Sequence, residues 1–245
     1  MLPRRSRGVV ADLRDYFFHE PEVPTLIEFP SRKDRENYTH RILQRLGISV
    51  DRYSILNIHQ ISIRAPVRFV HEEMLEWNGD SPYWPNHLAT VESIDGDRRH
   101  IKIRFLGRLT QPISRWIRRP ELGILFRLQA LRFQNNPDPD FDNARYFLYD
   151  CSGGYPIGIY FQYVRSPVAY QGEREETQLF FVVGFDFYGQ QRWPAWASRM
   201  WEKVHNRVTA NILNRFQKLC HAGFQEFTSD SEVAMAMAKG IKDRD

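Results

Sequence analysis

Six apolar runs, each bounded by turn-forming residues, follow one another through the middle of the chain. They cover residues 88–94, 99–106, 124–133, 144–151, 157–170 and 177–188. Runs of this length between Gly, Asp, Ser and Pro residues are typical of β-strands. Glycine-containing turns at 95–97, 152–154 and 171–173 predict hairpins. We therefore expect neighbouring strands to pair antiparallel in a meander.

A long helical pattern follows the last of these runs. Between residues 195 and 222 apolar side chains recur every three or four positions: Trp201, Val204, Val208, Ile212, Phe216 and Leu219. This spacing predicts an amphipathic helix, and Gly223 predicts its end. Such a helix needs a broad apolar surface, which predicts an α+β fold in which the helix lies in a curved sheet. Residues 228–245 are predicted to form a polar C-terminal tail.

A strand and a helix are predicted before the meander. Residues 53–64 are rich in isoleucine and contain no Gly or Pro, which predicts a strand. Pro66 is well suited to the first position of a helix, and Gly79 predicts its end. Four apolar residues share one face of this helix: Val67, Val70, Met74 and Trp77. A short aromatic turn is predicted at 82–85.

The first 52 residues are predicted to be an N-terminal extension with one helix. Ser31, with an acidic residue three positions later, resembles a capping box that starts a helix running to Leu46. Tyr38 and Ile42 lie on one stripe of that helix with Leu46. The stripe must dock onto another part of the chain.

The order of these elements resembles the helix-grip fold of the START and polyketide-cyclase-like superfamily, also called SRPBCC. The local matches are the strand 58–64 running into residues 65–70, and the pair Tyr83-Trp84 shortly before Pro85. The resemblance implies a curved antiparallel sheet of about seven strands wrapped around the long C-terminal helix.

The domain boundaries follow from the extent of this resemblance. It covers about residues 53–224, and the predicted START-like domain spans 53–227, with 1–52 and 228–245 outside it. The segment 109–123 departs from the pattern because it is long and basic where many relatives have a tight turn.

The resemblance implies a cavity between sheet and helix that holds an apolar molecule, such as a lipid. Aromatic residues make up 14% of the chain, so many bulky side chains must share an interior or line a pocket. If two alternating sets look toward the helix together, they form either a solid core or the walls of an apolar pocket. These sets are Leu179, Phe181, Val183, Phe185 and Phe187 on the last strand, and Ile157, Ile159, Phe161 and Tyr163 on the strand before.

One histidine is the candidate for chemistry in this cavity. His59 shares its strand face with Ile61 and Ile63, where it either orients a ligand, moves a proton or is a satisfied structural residue. The predicted ligand contacts are His59, Phe126, Tyr149, Phe161, Tyr163, Phe181, Phe185, Val208 and Ile212.

Two functions compete on these residues. The first is a binding or carrier protein for an apolar small molecule, with no catalytic role. The second is a cyclase- or dehydratase-type enzyme that uses His59 or a cavity tyrosine as acid or base.

The charge distribution supplies a third hypothesis. Residues 98–119 hold eight Lys or Arg and no acid, whereas 69–97 hold seven acids and no Lys or Arg. Four residues of the basic part are the candidate contact with an anionic membrane or another anion: Arg115, Trp116, Arg118 and Arg119. The same segment also suits a loop packed on its own domain, or the basic partner-binding face of an interaction protein with a filled core. No motif predicts specific nucleic-acid binding.

Motif searches exclude several chemistries. The chain has two cysteines and no His-Glu-x-x-His, phosphate-loop, dinucleotide or nucleophile-elbow motif. We therefore expect free thiols, no metal and no cofactor. No apolar window reaches the roughly 18 residues of a membrane span, and no signal peptide is recognised. This predicts a cytoplasmic protein, and peripheral membrane association through the basic segment is left open as one alternative.

Overall fold

A computed structural model describes nine segments of the chain. These are residues 8–43, 55–75, 83–94, 97–105, 124–134, 145–152, 157–165, 176–186 and 195–242. The predicted basic membrane segment, including Arg115, Trp116, Arg118 and Arg119, lies outside them, as do Trp77 and Gly79.

From α2 onward the elements follow the predicted order, and a short helix and a π-helical turn that were not predicted come before them. A short helix α1 (Val9–Asp12) continues into a π-helical turn (Leu13–Phe18), and the next elements are α2 (Arg32–Leu43), β1 (Ile55–Ile63) and α3 (Val67–Leu75). The remaining elements are β2 (Ala89–Ile94), β3 (Asp97–Phe105), β4 (Ile124–Gln134), β5 (Arg145–Ser152), β6 (Ile157–Arg165), β7 (Thr177–Asp186) and α4 (Ala195–Lys242).

The described strands form one antiparallel sheet. Their order is β1-β7-β6-β5-β4-β3-β2, so β2 to β7 form a meander and β1 joins beside β7. In the β1–β7 pair, Asn57 lies opposite Val183, His59 opposite Phe181 and Ile61 opposite Leu179. The α+β class, the antiparallel sheet and the long C-terminal helix are confirmed.

Both faces of the β1–β7 pair are buried. On the face toward α4 these strands bury Ile61 and Val183, and on the opposite face they bury Ile58 and Phe180. A strand enclosed on both sides carries apolar residues at successive positions, which fits the isoleucine-rich sequence of β1.

Helix α4 extends beyond its predicted end. Gly223 does not stop the helix, which continues to Lys242, and that prediction is wrong. The reason is packing: the rings of Phe224 and Phe227 lie 5.4 and 6.4 Å from the ring of Phe69 on α3, so the turns after Gly223 have a docking surface. A Cβ at Gly223 would lie 3.5 Å from Phe69 Cζ, so this glycine sits against α3 rather than in a terminating turn.

The N-terminal extension is fastened to α4 through side-chain amides. Asn211 Nδ2 donates to the carbonyl oxygens of Tyr16 and His19 at 3.1 and 2.9 Å. Asn214 Nδ2 donates to Val23 O at 2.9 Å, and Val23 N donates to Asn214 Oδ1 at 2.8 Å. Because these amides pair with backbone groups, they fix the path of the extension along the helix.

The same extension continues onto the free edge of β1. Ile27 N donates to Ile58 O at 2.9 Å, and Gln60 N donates to Thr25 O at 2.7 Å. This short pairing covers part of an edge that would otherwise expose backbone donors and acceptors. It also brings Thr25 to the interior.

Helix α2 starts as predicted. Asp34 N donates to Ser31 Oγ at 3.1 Å, and Ser31 Oγ donates to Asp34 Oδ2 at 2.6 Å. The ring of Tyr38 lies 5.4 Å from that of Phe29. Leu46 lies outside the described residues, and the division of the chain into extension, domain and tail stays a prediction. No helix in the described segments is long and apolar enough to cross a membrane.

Candidate functional site

The candidate site is the sheet–helix junction, where the α4-facing side of β1 and β7 meets α4. One end of this junction is filled. Ile61, Ile63 and Leu179 of the sheet pack in one apolar core with side chains of α4: Leu213, Phe216 and Cys220. The described residues therefore form a solid core at this end.

His59 lies in the middle of the junction and is completely buried. Its Nε2 is 3.2 Å from Asn206 Oδ1 on α4, and its Nδ1 is 2.9 Å from Thr25 Oγ1 of the N-terminal extension. With the amide oxygen as acceptor, Nε2 carries the proton and Nδ1 accepts from the threonine hydroxyl. Both ring nitrogens are engaged, so His59 links sheet, helix and extension.

Burial keeps this histidine neutral. It lowers the pKa of His59 to about 4, against a smaller opposing effect of the hydrogen bond to Asn206. A general base that works near neutral pH needs an available lone pair and a pKa near the working pH. The contacts of His59 therefore favour a structural role over proton transfer.

A second, partly buried histidine, His205, lies close to it on α4. Burial lowers the pKa of His205 to about 3, and the nearby His59 lowers it further, while a hydrogen bond to Asn206 raises it. Thr209 Oγ1 lies 3.4 Å from His205 Nδ1. A proton on His59 disfavours a proton on His205, because two positive charges close together repel each other.

Asn57 brings a further polar side chain to the junction. It precedes His59 by two positions on β1 and therefore looks toward the same side. Only 4% of Asn57 is exposed, and among the described residues its Nδ2 has no hydrogen-bond partner. The apolar group around this position consists of Ile55 and Val183, against which Phe181 and Trp201 pack. Asn57 was not predicted; the available signal was a polar residue on the His59 face of an isoleucine-rich strand.

The register of β6 against β7 corrects one expectation. Phe161 lies opposite Val182 and Tyr163 opposite Phe180, whereas Phe181 lies opposite Gln162. Opposed residues of an antiparallel pair share a face. Phe161 and Tyr163 therefore belong to the sheet face turned away from α4, so the condition that both alternating sets look toward the helix is not met. The physical reason is that alternation shows which residues of one strand share a face. Which face of the neighbouring strand they join is decided by the pairing register.

The other predicted strand contacts fall on the α4-facing side. Phe185 lies opposite Ile55, Tyr149 lies opposite Tyr160 on β6, which is itself opposite Val183, and Phe126 lies opposite Ile103. The side chains of Phe126, Tyr149 and Phe185 are outside the described part, so their contacts with a ligand stay a prediction.

Val208 and Ile212 lie on a flank of α4. Both are partly buried, beside the buried line of Leu213 and Phe216. Gln217, whose Nε2 donates to Ser62 O of β1 at 2.6 Å, marks the opposite flank. At 100° per residue, Val208 and Ile212 therefore turn away from β1.

A separate groove lies on the other side of α4. It has a volume of about 430 Å³ between the helix and the extension, and its lining residues include Arg14, Tyr16, Asn211 and Arg215. Its walls are polar and charged, so it is not the predicted apolar cavity. In the described segments, no three His, Cys, Asp or Glu side chains come together as metal ligands would.

The comparisons with known proteins give a similarity of fold. No family model and no curated protein matches the chain. The crystal structure of TTHA0849 from Thermus thermophilus is 11% identical with a TM-score of 0.45, over 69% of this chain and 99% of that one. A START superfamily protein from Mycobacterium smegmatis is 8% identical with a TM-score of 0.43, over 68% and 97% of the two chains. These similarities concern the fold and assign no residue of the site.

Proposed function

We propose that the chain binds an apolar small molecule in the sheet–helix junction, and that Asn57 donates a hydrogen bond to it. The observation that carries the proposal is the buried Nδ2 of Asn57, which has no partner among the described residues. A buried donor left without an acceptor costs about 1–3 kcal/mol. A ligand oxygen would recover that cost, because it would supply the missing acceptor.

The surroundings of Asn57 favour a ligand that is mostly apolar. Ile55, Val183, Phe181 and Trp201 present hydrocarbon and aromatic surface. Contact with such surface would supply most of the affinity, at roughly 25 cal/mol per Å² of apolar area removed from water. The polar groups would then fix the orientation. A carbonyl or hydroxyl on a largely hydrocarbon skeleton fits both requirements.

Binding is favoured over catalysis because of the state of the two histidines. The ring nitrogens of His59 are occupied by Thr25 and Asn206, and burial lowers the pKa of His59 and of His205 well below neutrality. The proposal also includes the helix-grip arrangement, in which the sheet curves around α4. It is supported by the packing of α4 on the β1–β7 face and by the resemblance.

The proposal is tested with Nile red, an apolar dye that carries a carbonyl acceptor, and with native mass spectrometry of the purified protein. We expect saturable, blue-shifted Nile red emission for the natural chain. Asn57→Leu removes the donor while it keeps a side chain branched at Cγ, and one hydrogen bond of about 0.5–1.5 kcal/mol corresponds to roughly 2- to 12-fold weaker binding.

The matched control is Gln60→Leu, on the same strand but the opposite face. It should leave the affinity for Nile red unchanged. No saturable binding by the natural chain, together with no copurifying molecule, would reject the proposal. Equal affinities of Asn57→Leu and the natural chain would remove Asn57 from the site.

A further inference from the structure

The N-terminal half of α4 carries an apolar strip on its solvent side. Trp196, Met200 and Val204 are 64%, 57% and 39% exposed. They are spaced by four residues, so they lie on successive turns of one side of the helix. Thr209, which is buried, points to the opposite side of the helix. We name these three residues the Trp196 strip.

Basic side chains border this strip. Arg199 and Lys203 are exposed, and in the described part of the chain neither forms an ion pair. Arg199 Nε donates to Ala195 O at 3.2 Å, which holds the guanidinium along the helix. At 100° per residue, both basic residues fall on the same half of the helix as Trp196 and Met200.

The acidic residue of this part of α4 is turned elsewhere. Glu202 is partly buried and interacts with Arg35 of α2. The next basic residue, Arg207, is paired with Glu20 of the extension. The strip is therefore bordered by two cations, and no carboxylate between residues 195 and 207 shares its side of the helix.

We propose that the Trp196 strip, with Arg199 and Lys203, docks on an anionic lipid surface. An indole ring suits the boundary between headgroups and acyl chains, and a methionine and a valine add apolar area beside it. Basic residues near an anionic surface favour binding by about 1 kcal/mol each, which is about fivefold per residue. The charge pattern argues against a second copy as the occupant, because a two-fold contact would bring Arg199 and Lys203 close to their own copies.

The test is sedimentation of the full chain with vesicles. We expect binding to vesicles of phosphatidylcholine mixed with phosphatidylserine, and weak binding to phosphatidylcholine alone. The double variant Arg199→Gln, Lys203→Gln should bind the anionic vesicles about 30-fold more weakly, from two contributions of about 1 kcal/mol. Trp196→Ser, Met200→Ser should lose binding that persists at high salt, because its contribution is apolar.

The matched control removes two exposed charges from other places. Arg14→Gln, Arg68→Gln makes the same change in net charge outside the strip, and it should bind like the natural chain. An equal loss in this control would overturn the proposal, because net charge alone would then explain binding. The proposal also fails if the natural chain does not bind anionic vesicles, or if sedimentation velocity shows a dimer that Trp196→Ser, Met200→Ser abolishes. All these side chains are exposed, so the variants should keep the circular dichroism spectrum and melting temperature of the natural chain.

Discussion

Acid should destabilise this protein through His59. Its pKa is about 4 in the folded chain, whereas an unfolded chain has the ordinary value of 6.5. Above pH 6.5 both states are neutral at this residue and it makes no difference to the free energy of unfolding. Between pH 6.5 and 4 the unfolded chain takes up a proton that the folded chain does not, so stability falls as pH falls.

The magnitude follows from the two pKa values. At pH 5, His59 alone lowers the free energy of unfolding by about 2 kcal/mol relative to its value above pH 6.5. This follows from 1.36 kcal/mol per unit of pKa difference between the two states. Below about pH 4 the folded state also takes up the proton, and this contribution stops growing. His205 acts in the same direction, but it keeps some exposed surface, so the magnitude is based on His59.

The assay is urea unfolding at several pH values between 7.5 and 4.5, for the natural chain and for His59→Gln. The glutamine cannot titrate, whereas carboxylates and other histidines such as His221 contribute to both proteins. The free energy of unfolding of the natural chain, relative to that of His59→Gln, should therefore fall by about 2 kcal/mol from pH 7 to pH 5, because only the natural chain loses the His59 contribution. If the free energies of unfolding of the two proteins change in parallel with pH over this range, the assignment of a buried neutral His59 is refuted. The result does not depend on whether a ligand binds.

Three further predictions concern packing and the extension. Asn214→Ala removes two hydrogen bonds to Val23, so we expect a loss of about 1–3 kcal/mol in urea unfolding and faster proteolysis of the extension. Gly223→Ala should stabilise the protein by roughly 0.5–1 kcal/mol, because the added methyl meets Phe69 at an ordinary contact distance of 3.5 Å and alanine favours a helix; a lower melting temperature would contradict the described packing. Leu213→Ala should cost about 2–5 kcal/mol in urea unfolding, because it leaves a hole in the filled end of the junction, and an unchanged stability would show that this end is not tightly packed.

Local patterns predicted the elements well because each signal acts over a few residues. The strand β1, the Ser31 start of α2 and the Pro66 start of α3 depend on short-range propensity and capping, which the sequence contains in full. The end of α4 depended on a distant residue. Gly223 is a local stop signal, but Phe69 lies more than 150 positions earlier and supplies the contact that lets the helix continue.

The candidate site was harder to predict because it depends on pairing register. Alternation groups His59 with Ile61 on β1 and Phe181 with Leu179 on β7, and the register shows that these two groups lie on the same face, with His59 opposite Phe181. Phe161 was assigned to that face by the same reasoning and lies on the other, because its partner is Val182. A shift of one residue in register exchanges the two faces of a strand, and no apolar pattern reveals it when both faces of the neighbouring strand are buried.

The burial of β1 on both faces also explains why the sequence did not single out Asn57. In a strand with one dry face, a polar residue at a buried position breaks the alternation and is conspicuous, but seven of the nine positions of β1 are buried, so alternation does not single out either polar residue. Asn57 and His59 differ in their hydrogen-bond contacts, which only the structure shows. Thr25 and Asn206 come from parts of the chain remote in sequence and satisfy His59, whereas Nδ2 of Asn57 meets no acceptor in the described residues. The partners of His59 favour a structural role for it, whereas the unsatisfied Nδ2 of Asn57 is the observation on which the proposed ligand contact rests.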